Sequence, residues 1–274
     1  MSLRIQTNIE AYNAHRNLVN TQTQLSTSME RLSSGFRINR AADDAAGLAI
    51  SEKLQAQIGG LQQAQRNAQD AVSLVQTGEG ALAEVQSMLQ RVRDLAVQFN
   101  NGTLAASDQA AITSEVAQLC AEIADIASQT QFNGISLLSG GSTITFQVGA
   151  MDGQTIAITG IQLFGVGNGF EINSSIFNFP GSGTVTLASI DTAIDNVSAA
   201  RSTFGSVQNR VTHAINNLTT YEENLTASES TIKDVDMASE MVNFTKLQIL
   251  QQAGTAMLAQ ANTSPQSVLS LLHG

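Results

Sequence analysis

Apolar residues recur along most of this chain at spacings of three, four and seven, the signature of helices buried along one side. The longest such run is 45–99, where Leu61, Ala68, Val75, Leu82, Leu89 and Ala96 keep strict heptad spacing and Ile58, Val72, Val85 and Val92 thicken the stripe. Drawn as one helix, Leu54 to Phe99 is about 70 Å long at 1.5 Å per residue, a rod that needs companions along its length. Gly59-Gly60 and Gly78/Gly80 are its weak points, each costing about 1 kcal/mol against Ala. Asn100-Asn101-Gly102 marks a turn. A second helix is predicted over 107–129, with Ile112, Val116, Leu119, Ile123 and Ile126 at alternating four and three, folding back on the first. Helical spacing returns at Ile190 and holds through Ile194, Val197, Ala200, Phe204, Val207, Val211, Ile215 and Leu218 to Ile232.

The two ends differ from the middle in carrying two apolar rows each. Residues 1–34 form a helical segment in which Ile5, Tyr12 and Val19 repeat at seven, as do Leu18, Leu25 and Leu32. In 235–272 one row is Val242, Ile249 and Ala256; the other is Leu247, Leu250, Gly254, Met257 and Ala261. At roughly 100° per residue these rows lie about 120° apart, so more than one face wants burial. After Lys246 no charged residue follows. Gln248, Gln251, Gln252, Gln260 and Asn262 nevertheless interrupt the segment, so no apolar run of about 18 residues spans a membrane. Two faces without charge indicate one partner within the chain and another on a neighbouring copy. Gly35 breaks the first helix, and Asp43 or Asp44 is placed to cap the next. Ser264-Pro265 reads as a cap and first-turn pair restarting a short last helix.

In the middle the period changes to two. Ile144, Phe146 and Val148 alternate with polar residues, as do Ile156 and Ile158, about a hairpin turn at Gly149–Gly153. Residues 160–186 are glycine-rich and patternless, with one more short strand expected over Thr184–Leu187. The predicted fold is mainly α: a long-helix coiled-coil bundle formed by the N- and C-terminal halves, with a small β-hairpin region in the middle and the two termini paired.

Charged residues are 13% of the 274, aromatics 4%, and Trp is absent. That mix favours long helices packed through small residues. A formal net charge of −10 argues against a nucleic-acid surface. The single cysteine, Cys120, excludes an intramolecular disulfide and reads as a small half-buried residue beside a helical stripe. The first residues lack the apolar core of a cleavable signal peptide, so the chain reads as cytosolic unless it leaves by a route that recognises something else. No P-loop, HExxH or GxSxG occurs. GVGNG at 165–169 lacks the strand-to-helix context of a dinucleotide fingerprint. His15, His213 and His273 stand far apart without acidic or Cys neighbours at ligand spacing. The carboxylate pairs Asp43-Asp44, Glu222-Glu223 and Asp234/Asp236 fall at helix ends or polar faces, where caps and solvated charges explain them. The expectation is a non-enzyme without cofactor or metal. Arg91 and Arg93 read as a solvated face, with Asp94 balancing Arg93.

Several stretches carry a family resemblance: LSSGFRINRAADDAAGLAISEKL at 32–54, LQRVRDLAVQ at 89–98, QFNGISLL at 131–138, FQVGAMDGQTI at 146–156, VQNRVTHAINNL at 207–218 and AGTAMLAQANTSPQSVLSLL at 253–272. Together they resemble bacterial flagellin over 1–160 and 188–272, leaving 161–187 as a minimal variable loop. The resemblance implies an inner filament-core domain made of 1–44 and 235–274, and a bundle with its β-hairpin over 45–234. It implies a structural subunit of the extracellular flagellar filament for swimming, exported unfolded and added at the tip. The implied partners are further copies of the chain, an export chaperone, and cap and hook-associated proteins. Val242, Leu247, Ile249, Leu250, Met257, Leu269, Leu271 and Leu272 are then residues of the polymerising helix, whose ends order only when neighbours supply surface. By the same resemblance, Arg91, Leu95 and Glu115 match the residues met by the host Toll-like receptor, and the final leucines those read by cytosolic sensors. A minor axial protein of the hook–filament junction has similar terminal helices. A protease insert of the kind some relatives carry would need HExxH and more than 161–187.

Overall fold

The structure, a computed structural model, describes residues 7–140, 142–163 and 187–272, with side chains through Thr263. Among these residues it is mainly α. Helices α1 (Ile9–Ser34), α2 (Ala45–Phe99), α3 (Ala106–Gln129), α4 (Leu187–Lys233) and α5 (Met237–Leu272) are joined by four short strands, β1 (Gln131–Phe132), β2 (Ile135–Ser136), β3 (Thr143–Gln147) and β4 (Thr155–Thr159). The chain forms two compact units, Gln57–Glu223 and the paired ends Met1–Ala56 with Asn224–Gly274.

In the Gln57–Glu223 unit the heptad row of α2, from Leu61 through Leu82 and Leu89 to Ala96, is buried along its length. The α4 row meets it: Ile190, Val197, Ala200, Phe204, Val207 and Val211 share one core with Ile112, Val116, Ile123 and Ala127 of α3. Side-chain bonds fix an antiparallel register between α2 and α4. Arg93 pairs with Asp191 at 2.6 Å, Glu79 with Arg201 at 2.8 Å, and Gln62 with Glu222 at 2.8 Å, so residues fall along one helix as they rise along the other. Arg93 is therefore paired directly with Asp191 on another helix, and its chain neighbour Asp94 adds only a smaller, longer-range electrostatic contribution.

β3 and β4 pair antiparallel, with Ile144 opposite Ile158 and Phe146 opposite Ile156, as the alternation predicts. Two further features were not anticipated. Asn133 and Gly134 have φ of 50° and 78°, which makes FNGIS a tight β1–β2 hairpin with a two-residue turn. Residues 137–139 run beside 160–163, with Ile161 N–H donating to Leu137 and Leu163 N–H to Leu138. The strand expected over 184–187 lies outside the described residues except for Leu187, which is the first residue of α4.

The ends of the helices follow local chemistry. Gly35, at φ 77°, closes α1, its N–H donating to Arg31 O at 2.9 Å. Asp44 caps α2 by accepting from Gly47 N–H at 2.8 Å. Asp43 instead accepts from the Arg40 and Asn39 N–H groups, which hold its carboxyl below the usual carboxylate value. α1 begins at Ile9 rather than at the first residue, because Asn8 caps it. α5 runs unbroken through Pro265, where a restart was expected.

The α2 glycines carry opposite signs. A Cβ on Gly78 would stand 2.6 Å from Cε2 of the fully buried Phe204, whereas at Gly59 and Gly80 it meets nothing within 4 Å. Gly80→Ala is expected to stabilise the bundle by up to about 1 kcal/mol through helix propensity. Gly78→Ala is expected to cost about 1–3 kcal/mol through overpacking, and Phe204→Leu in the same chain to recover part of it. Urea unfolding of the three variants checks the signs.

Candidate functional site

The paired ends form the candidate site. Along α1 the inward positions are Ala11, Ala14, Leu18, Thr21, Leu25, Ser28 and Leu32; along α5 they are Glu240, Phe244, Leu247, Gln251, Gly254, Leu258 and Ala261. Both sets alternate three and four, the a/d rows of an antiparallel two-helix seam. Gln251 Nε2 donates to Gln22 Oε1 at 2.6 Å, and Asn8 Nδ2 donates to Ala261 O at 2.7 Å. Gly254 lets Leu18 approach: a Cβ there would sit 3.3 Å from Leu18 Cδ1. A groove of about 720 Å³ runs over this seam between Asn13, Asn17, Leu18, Leu250 and Met257.

The helix starts are set by side chains. Asp236 Oδ1 accepts from Ala238 N–H at 3.0 Å and Ser239 N–H at 3.2 Å, capping α5. Behind it, Arg37 N–H donates to Lys233 O and Val235 N–H to Gly35 O, so a short antiparallel bridge ties the two connectors together. Lys233 Nζ lies 4.8 Å from the centre of the Phe36 ring. The carboxylate pair Asp234/Asp236 is thus structural: Asp236 caps, and Asp234 accepts from Ser230 Oγ. At the same end the seam turns polar. Ser28 Oγ, Arg31 Nε and Glu240 Oε1 are buried there without a hydrogen-bond partner among the described residues.

The two rows read from the sequence separate in the structure. Leu247 is 4% exposed against α1, while Val242 and Ile249 stand 71% and 61% exposed. On α1, Leu18, Leu25 and Leu32 line the seam, while Tyr12 and Val19 face outward. Leu250 and Met257 were grouped with Leu247 but are exposed, flanking the groove; Gln251, counted as an interruption, takes the seam position instead. The side chains of Leu269, Leu271 and Leu272, like His273, lie outside the described residues.

The remaining candidates sit in the other unit. Arg91 bonds Glu115 across α2 and α3, at 2.9 Å through Nε and 2.7 Å through Nη2, both partly exposed. Leu95, expected beside them on a contact surface, is only 2% exposed: its position on α2 turns it into the core. Among the described residues no group of three His, Cys, Asp or Glu is placed to hold a metal. No described helix is long and apolar enough to cross a membrane. Asn8 was missed because an isolated polar residue before a helix carries no periodic signal; Ser28 and Glu240 were missed because they are polar residues at positions of the apolar rows.

An architecture in which the first and last helices pair through one seam and leave a second apolar row open defines a class of helical proteins closed by their own termini. Residues 5–143 match the bacterial flagellin N-terminal helical region and 187–272 the C-terminal helical region. The chain is 50% identical to a flagellin of Halalkalibacterium halodurans over 97% of its own length and 98% of that protein. It is 44% identical to a flagellin of Bacillus subtilis over 99% of its length and 100% of the other. The chain belongs to the bacterial flagellin family. Its structure also resembles that of a putative flagellar hook-associated protein from Vibrio parahaemolyticus, with TM-score 0.60 over 70% of this chain and 100% of that one, at 16% identity, a likeness of fold alone.

Cys120 is fully buried rather than half-buried, and burial pushes its thiol up to about 11. With so little thiolate, alkylation at pH 8 is expected to run about a hundred-fold slower than in the unfolded chain. Timed iodoacetamide labelling with and without guanidinium measures the ratio.

Proposed function

We infer that this chain is the structural subunit of a bacterial flagellar filament. The observation that carries the reading is the open apolar row on each terminal helix: Tyr12 and Val19 on α1, Val242 and Ile249 on α5. The seam between these helices alternates leucines with small and polar residues, among them Ala11, Ala14, Thr21, Ser28, Gln251 and Gly254. At about 25 cal/mol per Å² of apolar surface, it stabilises the pair only modestly. Covering the second row requires another copy. Because the open rows and the groove are different surfaces of one molecule, contacts between copies are head-to-tail, the kind that extends into a helical polymer when the rotation between copies does not close a ring.

On this reading 1–44 and 235–274 form the inner domain of the filament, and 45–234 is a second, helical-bundle domain with its β-hairpin. The subunit acts outside the cell, reached by unfolded export, with a chaperone holding the apolar ends before export and cap and hook-associated proteins meeting the filament's termini. Its work is structural, without catalysis. Full-length similarity to flagellins favours the filament subunit over a junction protein. The test is seeded growth: purified chain extends sheared filament fragments without added proteins, visible by electron microscopy. Deletion of 235–274 leaves a folded helical core that adds nothing to the seeds. Growth by the truncated chain refutes the reading.

A second property is favoured by the exposed Arg91–Glu115 pair. On released monomers this pair offers a charged ridge to the host Toll-like receptor. An exposed ion pair contributes only about 0–1 kcal/mol to stability. Arg91→Ala is therefore expected to lower receptor signalling several-fold while filaments still form, as a reporter-cell assay and electron micrographs show; unchanged signalling removes the claim.

A further inference from the structure

We propose that Asn8 clasps the two chain ends, and that its docking decides whether α5 continues past Pro265 or stops there. Proline has no N–H, and its ring crowds the carbonyl four residues earlier, so a proline inside a helix leaves that carbonyl unbonded and breaks the run. Here that carbonyl belongs to Ala261. α5 nevertheless runs from Met237 to Leu272. The missing donor is supplied from the other end of the chain, since Asn8 Nδ2 donates to Ala261 O at 2.7 Å.

The same carboxamide works on its own helix. Asn8 Oδ1 accepts from Ala11 N–H at 3.0 Å and caps α1. One side chain thus repairs two defects, one of the unsatisfied N–H groups at the start of α1 and the carbonyl orphaned inside α5. The chemistry fixes the residue type. One partner is a donor and the other an acceptor, so the group must present an oxygen and an N–H at once. Aspartate offers only the first. Alanine offers neither. Glutamine carries the same amide one methylene further out.

The two termini therefore complete each other. Until α1 docks, the Ala261 carbonyl has only water to bond, and the Ser264-Pro265 break is the local preference. Until α5 docks, the Asn8 N–H group is idle.

A double-mutant cycle of Asn8→Asp with Pro265→Ala tests this on the full chain. Asn8→Asp keeps the cap and removes the donor; Pro265→Ala restores an N–H to the Ala261 carbonyl within α5. The first readout is the critical concentration for seeded growth, which rests on the filament reading. The second is independent of it: amide exchange from Thr263 to Leu272 in a monomer locked by an engineered disulfide across the α1–α5 seam, at a pair of positions whose Cβ atoms lie within disulfide reach. Asn8→Asp alone is expected to raise the critical concentration about five- to tenfold and to speed exchange by a similar factor, the scale of one partly buried hydrogen bond lost. In the Pro265→Ala background the same change is expected to cost less than about twofold. An equal penalty in both backgrounds, in either readout, overturns the proposal. Should the unsubstituted chain fail to extend seeds, the filament reading falls and the locked monomer still decides the clasp.

Discussion

Each long helix of this chain carries an apolar row at alternating spacings of three and four, and such a row must be covered along its whole length. An isolated helix is marginal in water, and most of its stability comes from packing. In the Gln57–Glu223 unit this requirement is met internally. α2 and α4 run antiparallel with their rows facing, α3 folds back to cover the flank, and Ile156 and Ile158 of the hairpin add to the same core. The ion pairs along it, Arg93 with Asp191 and Glu79 with Arg201, are partly exposed and so set register more than they supply stability.

At the paired ends the same requirement is met only halfway. Among the described apolar side chains of the seam, Leu25 and Leu247 are buried, and alanine, threonine, serine, glutamine and glycine fill much of the remainder. The buried Ser28, Arg31 and Glu240 atoms, without partners among the described residues, subtract from what the leucines contribute. A pair built this way is specific in register and weak in closure, while its outer rows stay open. Its stability and its association are one problem with one solution.

The bundle was legible because periodicity alone dictates it. The heptads of 45–99, the Asn-Asn-Gly turn and the Gly35 stop each map onto α2, the α2–α3 turn and the end of α1. What failed to show were effects of tertiary neighbours on local signals. Ser264-Pro265 reads as a helix start until a donor arrives from residue 8. Leu250 and Leu247 both fit the same stripe, and only the position of α1 decides which one is covered. Arg93 finds its partner ninety-eight positions away because α4 returns alongside. Leu95 shares a motif with Arg91 yet points inward, since a motif records neighbours in sequence and burial depends on the angle around the helix.

The fit of Phe204 against Gly78 has a consequence for how the bundle is indexed. Rows that repeat every seven residues look alike after a slide of one heptad, about 10 Å of helix rise. Aliphatic teeth of similar size would tolerate such a slip. A single large ring that enters where the facing backbone bears no side chain does not, because one heptad away it would strike Ala71 or Val85. The notch thus acts as a detent, giving two otherwise repetitive ridges a single axial setting.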